Sequence, residues 1–135
     1  MDHTQALQHF IAHLDLSRTR DRVGLRAIYH DEVSYYDPIG GKLAGGDAVV
    51  DYLISLCSRF EVLELDVVNI WLHNEQTVVE WLQRSELDGV QKTQRGMTVL
   101  ATSDGRLIEH RDFFTLGRPP WADELRSHLV LPVVG

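Results

Sequence analysis

The sequence has a single cysteine, Cys57, only four prolines, and aromatic residues that make up 8% of its length. One cysteine excludes an internal disulfide bond and argues against a thiolate-bound metal cluster. Basic residues are also scarce, because 13 lysines and arginines stand against 20 aspartates and glutamates and give a formal net charge of −7. Proteins that bind phosphate backbones depend on clustered basic residues, so no nucleic-acid partner is expected.

Long apolar runs are absent too, and no stretch reaches the length that crosses a bilayer, so no membrane partner is expected. The start of the chain lacks the basic and apolar regions of a secretory signal, which favours a cytoplasmic location. His3, His9 and His13 do not have the spacing of a zinc site, and no phosphate-binding Lys and Ser or Thr follow the glycines of the loop 40–46. The sequence therefore predicts neither a metal nor a cofactor.

What is present is an ordinary globular composition of 135 residues, 44% of them hydrophobic, which predicts one domain over residues 1–135. Apolar residues at helical spacing predict a first helix from Thr4, its N-cap, to Leu16. The same reasoning predicts a second helix over 21–29 and a third from Asp47, as its cap, to about residue 58. Leu53 lies on the apolar side of this third helix.

Strand patterns dominate the remainder of the chain. A brief strand is predicted from Glu32 to Asp37, followed by a loop rich in glycine. Asp-Gly and other turn signals then separate four longer runs, which are Val62–Leu72, Thr77–Leu87, Gln91–Thr102 and Arg106–Leu116. This order predicts an α+β fold, in which a curved antiparallel sheet wraps around three N-terminal helices. The tail after Gly117 is expected to be an irregular segment or an edge strand.

Two segments resemble a known superfamily. The run from Tyr29 to Gly40, with its Asp37-Pro38-Ile39-Gly40 motif, resembles the corresponding segment of ketosteroid isomerases. The run from Asp104 to Phe114 resembles the closing strand of SnoaL-like polyketide cyclases and limonene epoxide hydrolases. The resemblance to this nuclear transport factor 2-like superfamily implies a cone-shaped, cystatin-like roll, a homodimer, and acid–base positions at Asp37 and Asp112.

Departures from the sequence patterns of these families reduce the number of activities that can be expected. His13 stands where ketosteroid isomerases have a tyrosine donor, and counting back from Gly105 places Met97 where they have a protonated aspartate. Steroid isomerisation is therefore not expected. Glu80 or one of its neighbours replaces the arginine of the limonene epoxide hydrolases. Polyether epoxide hydrolases pair the motif aspartate with a glutamate near the first long strand, where this chain has Glu64, with Glu61 as a second candidate.

Strand alternation sorts the remaining candidates by face. Asp112 shares a face with His110 and Phe114, and Asp37 shares one with Tyr35. Only one of Glu80 and Trp81 can face inward. Likewise, at most one of Glu61 and Glu64 can reach a cavity.

The resulting hypothesis is a cofactor-independent acid–base enzyme of the isomerase, cyclase or epoxide hydrolase type, acting on a small apolar polyketide- or terpenoid-like molecule. Paired carboxyl groups in an apolar site suit such chemistry, because burial and neighbouring donors separate their pKa values. Asp37 is assigned as the base, and Asp112, assisted by His110 or His13, handles the complementary proton. The other candidates are Glu64 and Glu80 as acid–base groups and Tyr35, Leu53, Trp81, Met97 and Phe114 as substrate contacts. The alternative is a non-catalytic binding module or dimeric assembly module of the same fold.

Overall fold

The structure, a computed structural model, describes residues 2–115. The helices are α1 (His3–Arg18), α2 (Arg22–Ile28) and α3 (Gly46–Cys57). The strands are β1 (Tyr29–Asp37), β2 (Gly41–Ala44), β3 (Val62–His73), β4 (Gln76–Leu87), β5 (Val90–Ser103) and β6 (Arg106–Phe114). The predicted α+β architecture of three helices and a curved sheet is confirmed. The tail predicted after residue 117 lies outside the described residues.

The helix starts follow local capping chemistry. Asp2, not the predicted Thr4, caps α1, because its side chain accepts a hydrogen bond from the backbone N–H of Gln5 at 3.0 Å. Asp21 caps α2 as the sequence indicates. The prediction that Asp47 caps α3 is wrong, since the N-cap is Gly45, whose φ of 94° favours glycine.

The six strands form one open, curved sheet in the order β2-β1-β6-β5-β4-β3. All neighbouring pairs are antiparallel except β1 and β6, which are parallel. The sheet is therefore mixed, and not antiparallel throughout as predicted. Strand β2 was interpreted as loop because of its glycine-rich surroundings, but it pairs with the end of β1.

Two hairpin turns carry the residues that such turns require. Asp88-Gly89 joins β4 to β5 and Asp104-Gly105 joins β5 to β6, with positive φ at all four positions. Paired positive φ values match the right-handed twist of the flanking strands, which is why Asp-Gly is favoured there. These turns confirm the predicted hairpins and set the starting register of each ladder.

The core lies between the helices and the inner face of the sheet, which is the face turned toward α1 and α3. On β4 and β5, alternate residues such as Val79, Trp81, Thr98 and Leu100 are buried on that face. Their immediate neighbours along each strand lie on the outer face and are more exposed. The inner face is thus the surface on which a site can be protected from water.

Two negative findings concern the described part of the chain. None of the helices within residues 2–115 is long and apolar enough to span a bilayer. In the same range, no three His, Cys, Asp or Glu side chains are grouped in a way that could hold a metal ion.

Candidate functional site

A cavity of about 790 Å³ opens between α1, α3 and the inner face of the sheet. Both candidate aspartates, Asp37 and Asp112, line it, together with His13 and Tyr35. Much of its wall is apolar, formed by Leu14, Leu53, Leu56, Phe60, Leu63 and Phe114. The structure therefore brings four of the predicted polar residues to one apolar hollow.

Asp37 is 3% exposed and ends β1 at the floor of this cavity. Its Oδ1 accepts hydrogen bonds from the backbone N–H groups of Ile39 and Gly40, at 2.7 and 2.6 Å. The hydroxyl of Tyr35 donates to Oδ2 at 2.6 Å. The hydroxyl of Tyr52 lies 2.7 Å from Oδ2 and 2.9 Å from Oδ1. Since a carboxylate has about four acceptor sites, these four donors occupy it fully.

The tyrosines around Asp37 stay protonated. Burial, followed by the charges of Asp112 and Asp37, raises the pKa of Tyr35 well above its usual value. Burial and the hydrogen bond to Asp37 likewise raise the pKa of Tyr52. Both hydroxyl groups therefore keep their protons and donate hydrogen bonds to Asp37. Asp37 thus has two positions at once, as the acceptor at the centre of the turn to Gly40 and as a residue of the cavity wall.

Asp112 is bound differently, because only one of its two carboxylate oxygens accepts hydrogen bonds from residues 2–115. Oδ1 accepts from the hydroxyl of Thr98 at 2.6 Å and from Nε2 of His110 at 2.9 Å. Oδ2 accepts no hydrogen bond from residues 2–115. Burial raises the pKa of Asp112, but the charge and hydrogen bond of His110, the charge of His13 and the bond from Thr98 bring it below the usual value. Asp112 is therefore ionised at neutral pH, with one oxygen left without a partner from this part of the chain.

A chain of hydrogen bonds supports Asp112 from behind. The indole N–H of Trp81 donates to Oγ1 of Thr98 at 2.8 Å, so the Thr98 hydroxyl proton is directed to Asp112. On the other side, an ionised carboxylate can only accept, which assigns the proton to Nε2 of His110. The Nδ1 of His110 lies 2.8 Å from the hydroxyl of Tyr29, and in the neutral ring it accepts a hydrogen bond from that hydroxyl. Every residue in this series of hydrogen bonds therefore has a partner.

His13 completes the inner end of the cavity. Its Nδ1 donates to the backbone carbonyl of Phe10, which fixes its tautomer and leaves Nε2 as an acceptor. The ring stacks on Phe10 and meets His110 edge-on, with centroids 4.9 Å apart. Burial and the neighbouring His110 lower the pKa of His13 to about 4, although Asp112 and the bond to Phe10 act in the opposite direction. His13 is consequently neutral at pH values well above 4.

Four sequence candidates lie away from the cavity. Glu64 is 59% exposed at its side chain and forms an ion pair with Arg84 at 3.0 Å, and Glu61 is also exposed. Glu80 lies on the outer face directly opposite Met97, which is 40% exposed. Assigning Glu64 and Glu80 to the site and Met97 to its wall was therefore wrong.

The ladder between β5 and β6 shows why Thr98, and not Met97, lies at the site. An uninterrupted ladder from the turn at Gly105 would pair Met97 with Asp112, but β5 and β6 slip by one residue between Ala101 and Thr102. A slip of one residue moves each side chain to the other face. Thr98, not Met97, therefore lies opposite Asp112 on the inner face. The predicted face shared by His110, Asp112 and Phe114 is confirmed.

Sequence reasoning missed Tyr52 and Thr98. Tyr52 follows the cap of α3 by about two turns and reaches back to Asp37, a contact that helical spacing alone does not indicate. Thr98 is adjacent to Met97, the position that the count from Gly105 gave, and it lies opposite Asp112. Trp81, predicted as a cavity wall residue, is buried against Phe114 and takes part in the chain behind Asp112 instead.

A family model and several solved structures match the fold of this chain. The family model described as a SnoaL-like domain matches residues 7–110. No curated protein sequence matches the chain. Among solved structures, an LEH-like epoxide hydrolase of Mycobacterium tuberculosis is similar at a TM-score of 0.70 and 19% identity, covering 84% of each chain.

Two further solved structures are similar at the level of the fold. A Shewanella putrefaciens protein described as a SnoaL-like polyketide cyclase has a TM-score of 0.68 and 16% identity, over 82% of this chain and 89% of its own. A Mycobacterium tuberculosis protein in complex with estradiol-17β-hemisuccinate has a TM-score of 0.69 and 18% identity, over 83% and 95%. Identities this low establish the shared architecture and leave the chemistry to the residues of the site.

Proposed function

The chain belongs to the SnoaL-like domain family, and on that basis we propose that it is a cofactor-independent acid–base enzyme acting on a small apolar molecule. The family includes polyketide cyclases, isomerases and epoxide hydrolases. The observation that carries the proposal is Asp112, whose Oδ2 accepts nothing from residues 2–115 although the residue lines an apolar cavity. A positioned carboxylate of this kind can take a proton from a bound molecule and return it.

In this proposal Asp112 is the catalytic base and Asp37 is a positioning residue. The assignment reverses the one made from the sequence, because four donors already occupy Asp37 while Asp112 has an oxygen left for a substrate. His110 stabilises the negative charge of Asp112, and Tyr29 holds the His110 ring in the required tautomer. His13 lies beside them as a neutral acceptor.

The proposed substrates are polyketide- or terpenoid-like molecules or their epoxides. A cavity of about 790 Å³ has the volume of common small-molecule sites. Leu53, Phe60 and Phe114 offer apolar contact to the body of such a molecule. The steroid ester bound by the Mycobacterium tuberculosis protein of the same fold is a ligand of this general kind.

The experiment is a turnover screen with an isosteric variant. Terpenoid epoxides, hydroxylated polyketide analogues and unsaturated ketones are incubated with the protein in heavy-oxygen water and in deuterium oxide. Oxygen incorporation identifies hydrolysis, and deuterium at carbon identifies isomerisation or cyclisation. Asp112→Asn is expected to lower turnover by roughly 100-fold or more, while the exposed Glu64→Gln serves as the matched control.

A second candidate function is a binding module without chemistry, favoured by the full occupation of Asp37 and by the outward position of Glu64 and Glu80. Ligand binding by the parent chain without turnover across the whole screen would establish this alternative. The acid–base proposal would then be wrong.

We also propose a homodimer formed through the outer face of the sheet. Phe113 and Met97 are directly paired there and 44% and 40% exposed, and Tyr36 packs beside Phe113. Such an exposed apolar band is typical of a protein interface. Analytical ultracentrifugation should give a dimer for the parent chain and a monomer for Met97→Glu combined with Phe113→Glu. A cytoplasmic location is part of the same proposal, and cell fractionation tests it.

A further inference from the structure

Four hydrogen-bond donors at the inner end of the cavity are committed to internal partners. The hydroxyl of Tyr35 donates to Asp37, and that of Thr98 donates to Asp112. The N–H of His110 is likewise directed to Asp112, and the N–H of His13 to a backbone carbonyl. A ligand that reaches this end therefore meets no side-chain donor from these residues.

Acceptors, in contrast, remain open there. Oδ2 of Asp112 and Nε2 of His13 have no hydrogen-bond partner among residues 2–115. Both residues line the cavity, where His13 is 2% exposed and the side chain of Asp112 is 13% exposed. A buried acceptor without a donor costs free energy, so a ligand that supplies the donor gains the difference.

We propose that the inner end of the cavity selects molecules that present a hydrogen-bond donor, an O–H or N–H group on an apolar body, and rejects matched molecules that present only an acceptor. The inference rests on the small-molecule site of the proposed function and narrows its ligands to those members of the proposed substrate class that also carry such a donor. A bare carbonyl or ether oxygen would face Asp112 and His13 as a third acceptor. A hydroxyl group would satisfy either of them.

The carboxylate Asp112 offers an unusually direct test, because its Oδ1 receives two donors. In Asp112→Asn, the bonds from Thr98 and His110 require the amide oxygen at the Oδ1 position. The amide nitrogen must then replace Oδ2 and point into the cavity. One isosteric substitution thus converts the acceptor into a donor, with no change in side-chain size.

The probes are 2-naphthol and 2-methoxynaphthalene, which share an apolar body and differ in one donor. Titration calorimetry at neutral pH is expected to show that the parent chain binds 2-naphthol about tenfold or more tightly than the ether. In Asp112→Asn this ratio should fall to unity or reverse, and Glu64→Gln should keep the parent ratio. His13→Leu, which removes the second acceptor by a different change, should lower the ratio without reversing it.

An unchanged ratio in Asp112→Asn, a parent chain that prefers the ether, or a parent chain that binds neither probe would each overturn the inference. Thermal unfolding of each variant checks that the fold is retained, and His13→Leu supplies the test if Asp112→Asn is unfolded. Binding is measured here without turnover. Donor selection with no turnover would therefore retain this inference and reject the proposed catalysis, and turnover without donor selection would do the opposite.

Discussion

Thr98 lies directly opposite Asp112 in the β5–β6 ladder, and its hydroxyl donates to the carboxylate at 2.6 Å. The same hydroxyl accepts the indole N–H of Trp81, so a core residue fixes the direction in which Thr98 donates. Asp112 is thereby tied to the packed interior on one side and, through Oδ2, open to the cavity on the other. The two aspartates of the site consequently have separate roles, which substitution can distinguish.

Thr98→Val keeps the side-chain shape and removes the hydroxyl. Because the bond from Thr98 helps to lower the pKa of Asp112, the pKa should rise and the acidic limb of the pH–rate profile should move to higher pH. The indole N–H of Trp81 loses its acceptor, at a cost of about 1–3 kcal/mol in the free energy of unfolding. Denaturant titration measures this cost against Thr93→Val, an exposed position on the same strand. An unmoved acidic limb would contradict the role given to Thr98.

Asp37→Asn should mainly lower stability, whereas Asp112→Asn should mainly lower turnover. An amide at position 37 must present N–H groups to some of the four donors, so we expect a loss of about 2–4 kcal/mol in the free energy of unfolding. At Asp112 the amide can keep both bonds to Oδ1, so stability should change less and turnover more. Unfolding curves and single-turnover rates are measured on both variants. A greater loss of turnover per folded molecule in Asp37→Asn would restore Asp37 as the base.

Tyr29→Phe removes the donor to Nδ1 of His110. The buried ring nitrogen is left unpaired, and the free energy of unfolding should fall by about 1–3 kcal/mol. Because His110 then loses the contact that fixes its tautomer, the effect on kcat should exceed that on KM. Tyr36→Phe, on the outer face, is the matched control. Equal behaviour of the two variants would show that Tyr29 serves packing alone.

His13 should make stability depend on pH. Its pKa is about 4 in the folded chain and about 6.5 when unfolded, so between these values the unfolded chain binds more protons. Stability should therefore fall as pH drops from about 6.5 to about 4, by about 3 kcal/mol in total. His110 and Asp112 are the titratable groups that face this ring. In His13→Leu the decline over this window should shrink by that amount, and a decline of unchanged size would refute the assignment.

Gly96→Ala should displace Trp81. A Cβ at Gly96 would lie 2.4 Å from two atoms of the indole ring and 2.9 Å from the carbonyl of Phe113. We expect a loss of about 2 kcal/mol or more in the free energy of unfolding, with a shift in tryptophan fluorescence. Trp81→Phe removes the clashing ring atoms, so the double variant should be more stable than the sum of the single losses predicts. Strict additivity would exclude this contact as the cause.

The sequence was sufficient for the helices and the hairpins, because periodicity and Asp-Gly turns report local geometry. Strand alternation likewise placed His110, Asp112 and Phe114 on one face. The count from Gly105 gave Met97 instead of its neighbour Thr98, and the slip that pairs Thr98 with Asp112 leaves no mark in the residue pattern. It also could not assign the base, since the difference between Asp37 and Asp112 lies in donors that come from distant elements.

The parallel pairing of β1 with β6 has a consequence for how the protein acquires its site. Tyr29 and His110 are 81 residues apart in the chain, and they meet only because these two strands are neighbours. Closing so long a loop is entropically costly and comes late in folding. During synthesis on the ribosome, a nascent chain that ends before β6 contains Asp37 and Thr98 but neither Asp112 nor His110. Ligand recognition thus begins only after nearly the whole described chain has emerged.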